Sequence, residues 1–63
     1  MTRRYFYVVE YSINEVKFYV ENPYRYADES TAYEFLGKCI HDIVLSNPGV
    51  VLTKANVSFE YEK

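Results

Sequence analysis

Tryptophan is absent from this 63-residue chain, and cysteine, histidine and methionine occur once each. Glycine and proline occur twice each. Every shortage closes a route. With Cys39 as the lone thiol, no internal disulfide can form. With His41 as the lone imidazole, no zinc site can be assembled from His and Cys. Cys39 and His41 stand two apart on a helical pattern, so they point in different directions and do not make a nucleophile–base pair. Two glycines cannot furnish a phosphate-cradling loop, and no serine carries the flanking glycines of a nucleophile elbow. The expectation is therefore a non-enzyme, with no catalytic residue, no cofactor and no metal.

Long apolar runs are missing too. Runs such as Ile43-Val44-Leu45 and Val50-Val51-Leu52 are short, far below the ~20 residues of a membrane span. Seven Lys and Arg against nine Asp and Glu leave a net charge of −2. That is no electrostatic footprint for duplex DNA or anionic lipid. Met1-Thr2-Arg3-Arg4 runs straight into aromatic strand sequence without the apolar core of a signal peptide. Together with a single free thiol this predicts a cytoplasmic protein. A chain of this size builds a thin core and usually adds a disulfide, a metal or a second copy. The first two are closed, which predicts a homodimer.

Tyrosine is what the chain has in excess: eight, beside four phenylalanines. A buried tyrosine hydroxyl needs a partner or water. Eight cannot all lie deep in so small a protein, so several must sit at a rim or on a face, where tyrosine serves interfaces.

Residues 4–13 read as a strand with Tyr5, Tyr7, Val9, Tyr11 and Ile13 on one face and Arg4, Phe6, Val8, Glu10 and Ser12 on the other. Being apolar on one face and half apolar on the other suits a central strand. Asn14 tolerates the left-handed backbone of a tight turn. Residues 16–21 follow as a half-exposed strand, with Val16, Phe18 and Val20 alternating against Lys17, Tyr19 and Glu21. Asn22-Pro23 ends the pairing.

A helix is predicted over 30–46. Its apolar stripe is Ala32, Leu36, Cys39, Ile40 and Ile43, widened by Tyr33, Phe35 and Val44. Thr31 with Glu34 has capping-box spacing, and Asp28 is the alternative cap one turn earlier. Asn47-Pro48-Gly49 stops the helix. Residues 56–62 alternate as a third strand. Val50–Leu52 either begins that strand, with an irregularity near Thr53-Lys54, or forms a separate segment. The carboxylates Asp28-Glu29, Glu60 and Glu62 suit the helix dipole and an exposed strand edge.

The order β-β-α-β predicts one α+β domain over 1–63. It is a two-layer sandwich whose three-stranded antiparallel sheet, in order 2-1-3, has one helix on one face. The expected core is Tyr7, Val9, Tyr11, Phe18, Val20, Val57 and Phe59 packed on Leu36, Ile40 and Ile43. That leaves Phe6 and Val8 on the far face, with Arg4, Lys17 and Tyr19 around them, as an interaction face for a protein partner. Tyr24-Arg25-Tyr26 makes a second candidate patch; the other reading has its tyrosines lid the core while Arg25 pairs with Asp28 or Glu29. The function expected is a small protein–protein interaction module: a regulator, adaptor or inhibitor. The alternative is stacking of single-stranded nucleic acid on the aromatic sheet face, which the net acidity and the missing Gly–aromatic signature disfavour. Many unrelated small proteins share this element order, so the order carries no function by itself.

Overall fold

The structure is a computed structural model that describes residues 2–62, so Met1 and Lys63 of the expected domain lie outside the described residues. Its elements are β1 (Thr2–Ile13), β2 (Val16–Glu21), α1 (Glu29–Ser46) and β3 (Val51–Glu62). The sheet is antiparallel in the order β2-β1-β3, with β1 central as its two-faced composition requires. β1 begins two residues before the expected start because Thr2 and Arg3 find partners in Glu62 and Tyr61.

The hairpin turn is tighter than the sequence suggested. Asn14 and Glu15 are both left-handed, at φ 50° and 68°. A two-residue turn with both central residues at positive φ matches the twist of the strands it joins. Asn tolerates this conformation; a glutamate does so only at a cost. Glu15→Gly is therefore expected to stabilise the fold by about 1 kcal/mol. Thermal melting checks it: the midpoint should rise by several degrees, and a fall would show that the Glu15 side chain makes an unrecognised contact.

Asp28, not Thr31, caps α1. Its carboxylate accepts from the Thr31 N–H at 3.3 Å and from the hydroxyls of Ser30 and Thr31 at 2.6 and 3.1 Å. These bonds, Ser30's first, hold the Asp28 carboxyl below its usual range. At the other end, the Asn47 backbone N–H and side-chain amide both donate to the Ile43 carbonyl at 3.0 Å. Gly49 then reverses the chain at φ 88°, a conformation that suits glycine alone.

β3 is one continuous strand from Val51. Glu10 faces Lys54 while Tyr11 faces Leu52, so Thr53 is an extra residue: a β-bulge. Its hydroxyl donates to the Glu10 carbonyl at 3.0 Å, filling the broken ladder.

The core is smaller than expected. Val9 and Ala32 are fully buried, Leu36 nearly so, and Tyr7, Ile40 and Ile43 are half-buried. Phe18 and Phe59 were expected in the core, yet they keep 41% and 47% of their surface exposed. The reason is where the helix sits. α1 packs over β1 and β3, and no β2 Cα comes within 8 Å of a helix Cα. Phe18 is left to stack on Tyr11, ring centres 5.2 Å apart. Phe59 lies under the Arg3 guanidinium at 4.6 Å, near the end of the sheet. The molecule is correspondingly long and thin. It measures 42 × 18 × 14 Å, with a radius of gyration of 12.8 Å against ~10.6 Å for a compact chain of this length.

Candidate interaction surfaces

The sheet face away from α1 carries Arg4, Phe6 and Val8 of β1, Lys17, Tyr19 and Glu21 of β2, and Glu60 and Glu62 of β3. The five residues expected to form an interaction face do share it. It is not bare, however. Val8 is 6% exposed and Phe6 is half-buried. Phe6, which the sequence leaves on the far face, is covered by Arg25.

The cover is built by the loop after β2. Asn22 is 3% exposed and polar, so each of its groups needs a partner. Its backbone N–H donates to the Tyr7 carbonyl at 3.0 Å, and its side-chain amide donates to the Tyr26 hydroxyl at 3.2 Å. Its side-chain oxygen accepts the Tyr24 N–H at 2.6 Å, a turn that asparagine makes readily. The chain therefore folds back, and Tyr26 pairs with Tyr5 through two backbone bonds of 2.7 and 2.8 Å. Tyr26 in turn stacks on Phe35 of α1, ring centres 5.1 Å apart and nearly parallel. Tyr26 thus lids one end of the core.

That fold-back swings Arg25 onto the opposite face. Its guanidinium lies 4.0 Å above the Phe6 ring centre. Nε donates to Glu60 at 2.6 Å, Nη2 to Glu21 at 3.1 Å, and Nη1 to the Asn22 carbonyl. One side chain thereby ties the end of β2 to β3 across an aromatic ring of β1. The Glu60 bond, followed by that to Glu21, holds the guanidinium above its already high ordinary pKa. One of the two readings of this loop paired Arg25 with Asp28 or Glu29; it pairs with Glu21 and Glu60 because the loop turns it towards the sheet rather than the helix. Arg4 is also spent, on Glu62 at 2.8 Å.

The hairpin end of this face stays open. Glu10, Lys17, Tyr19 and Thr53, with Tyr11 and Phe18, line a shallow depression of about 300 Å³. The Tyr19 hydroxyl donates to Glu21 at 3.1 Å. Tyr24 is exposed and leans on Tyr26, 5.1 Å between ring centres.

Cys39 is half-buried beside Tyr7, whose hydroxyl pKa is pushed up by burial while the Asn22 amide works the other way. His41 is exposed. Among the described residues, no three His, Cys, Asp or Glu side chains gather closely enough to hold a metal ion. No helix of the described residues is long and apolar enough to cross a membrane.

No known family model matches this chain, and no curated protein or solved structure does either.

Apolar side chains are left uncovered on the helix side, where the sequence placed the core. Val16 and Phe18 of β2, Tyr33 and Val44 of α1, and Phe59 and Tyr61 of β3 are all exposed. None of the eight tyrosines is buried: Tyr5, Tyr7, Tyr11 and Tyr26 are half-buried and the other four are exposed. Sequence reasoning missed Asn22 as the organiser of the loop and Glu60 as the anchor of Arg25. Glu21 and Arg25 stand four apart and could have been paired. Glu60 lies 35 residues from Arg25 and only the strand register brings it there.

Proposed function

We propose that this chain is a small, non-enzymatic protein–protein interaction module of the cytoplasm that acts as a homodimer. The observation that carries this reading is the apolar surface the chain leaves uncovered on its helix side. Its accessible surface is 4623 Å², where about 4,200 Å² is ordinary for a folded monomer of this mass. Four apolar side chains reach full or near-full burial, Val8, Val9, Ala32 and Leu36. Exposed apolar groups scattered singly need no explanation, but six of them on the helix side beside so thin a core favour a covering partner. The half-buried, unpaired thiol of Cys39 fits a reducing compartment. The nucleic-acid alternative draws little support, since Arg4 and Arg25, the cations beside Phe6, are engaged by carboxylates.

Sedimentation across a hundredfold range of concentration tests the proposal. The expected result is a mass of two chains that dissociates on dilution. A single-chain mass throughout the range would sink the homodimer and leave a heterologous partner to be sought.

A further inference from the structure

The two edges of the sheet differ. β2 is six residues long, and its outward backbone positions are Lys17, Tyr19 and Glu21, so it is a short, charged edge that resists pairing. β3 is twelve residues long and nothing among the described residues pairs with its outer side. The direction of its free backbone groups follows from printed bonds on the other side of the sheet. Tyr5 and Tyr7 spend theirs towards Tyr26 and Asn22. Alternation then sends those of Arg4, Phe6, Val8 and Glu10 towards β3, whose partners there are Glu60, Ser58, Asn56 and Lys54. Ala55, Val57, Phe59 and Tyr61 are left pointing their N–H and C=O groups outward, with side chains on the helix side.

The flank of α1 above this edge is bare as well. Phe35 and Cys39 approach Tyr26 and Tyr7, so they mark the β2 side of the helix. At 100° per residue, Tyr33, Gly37, Ile40 and Val44 fall on the β3 side. A Cβ added at Gly37 would meet nothing within 4 Å.

Resting on the homodimer reading, we infer that the second copy docks along β3. The two β3 strands pair antiparallel about Val57, and the helices pack flank to flank at Gly37. The occupant is another copy because the two features are self-complementary about one two-fold axis. Pairing Val57 with itself sets Lys54 opposite Glu60 and Ala55 opposite Phe59, a charge pair and a small–large pair. It also uses nearly the full length of the strand. Pairing Ala55 or Phe59 with itself places no opposite charges face to face and shortens the ladder. The helix spacing agrees. Strands lie ~4.8 Å apart, so a helix seated above β1 and β3 stands ~5 Å from the axis. Two such helices are then ~10 Å apart, within ordinary helix packing distance. A side of the 42 × 18 × 14 Å molecule is the right size. Two copies sharing it bury on the order of 1,200–1,500 Å², the range of stable complexes. The product is a six-stranded sheet with both helices on one face.

Three variants test the geometry. Val57→Cys, in a Cys39→Ser background, should form a disulfide-linked dimer under mild oxidation, because facing residues of a hydrogen-bonded pair lie ~5.5 Å apart. Ala55→Cys in the same background should not. Gly37→Glu should keep the monomer's fold by circular dichroism, since it enters open space, yet weaken association at least tenfold by setting two glutamates together. Ala55→Pro removes an outward N–H that the monomer does not use, and should weaken association roughly thirtyfold through two symmetry-related lost bonds. If the parent chain dimerises but Val57→Cys does not cross-link and neither folded variant dissociates, the β3 docking is wrong while the homodimer stands. If the parent chain is monomeric, both fail.

Discussion

Leu36→Ala is expected to destabilise the protein by about 3 kcal/mol, within the span typical of buried leucines. Leu36 is one of two α1 side chains that reach the centre of the interface with β1 and β3. Its neighbours Ile40 and Ile43 are only half-buried, so Leu36 supplies much of the buried apolar contact of the helix. A domain of this length holds roughly 3–9 kcal/mol in all, so the loss removes a third or more of its stability. Urea unfolding followed by circular dichroism measures it, at fixed protein concentration because association adds to apparent stability. Leu45→Ala is the control. Leu45 keeps 67% of its surface exposed and points away from the sheet, so its truncation should change stability by less than about 0.5 kcal/mol. Equal effects at the two positions would mean that α1 is rotated, with Leu45 rather than Leu36 alone turned towards the sheet.

Arg25→Ala is expected to cost about 2 kcal/mol. Its ion pairs with Glu21 and Glu60 are part-exposed, so each contributes well under 1 kcal/mol. The stacking on Phe6 and the bond to the Asn22 carbonyl supply the rest. Arg25→Met separates these contributions. It keeps an apolar stem over Phe6 but loses every charged contact, so it should recover about half of the loss. Arg25→Lys should not recover it all, because a single ammonium cannot reach Glu60, Glu21 and the Asn22 carbonyl together. If Arg25→Ala is as stable as the parent chain, the arginine is a surface residue lying on Phe6 rather than a tie between strands. Removing Arg25 also uncovers Phe6 on the sheet face away from α1.

The elements themselves were legible because their signals are local. Alternation at period two marks β1 and β2, the period of the helix marks α1, and Asn47-Pro48-Gly49 ends it. The antiparallel order β2-β1-β3 followed from the two-faced composition of β1 and from a helix that carries the chain back. An irregularity near Thr53-Lys54 was one of the alternatives the pattern left open, and the register decides for it. Two local details were not. Glu15 takes positive φ because a two-residue turn imposes it, not because a glutamate prefers it. Asp28 was one of several candidate caps, and the choice turned on which side chain could reach the first free N–H groups.

Burial was the poorest reading, and for a reason that is not local. Periodicity says which residues share a face, and it did so correctly for Val16, Phe18, Phe59 and Tyr61. It cannot say where along and across a sheet a helix comes to rest. One helix is too narrow to cover three strands, and α1 settled over β1 and β3. Residues with core patterns on β2 and at the end of β3 were thereby left in water. On the other face the reverse occurred: Asn22, a residue read as a strand terminator, turned the loop so that Arg25 closed over Phe6.

Composition and pattern alone establish a small α+β chain, central β1, the faces of each element and an excess of tyrosine that no core of this size can hold. Placement of the helix, the Arg25–Glu60 tie and the two unequal sheet edges come from contacts between residues far apart in the chain. Those depend on strand register and on the seat of α1.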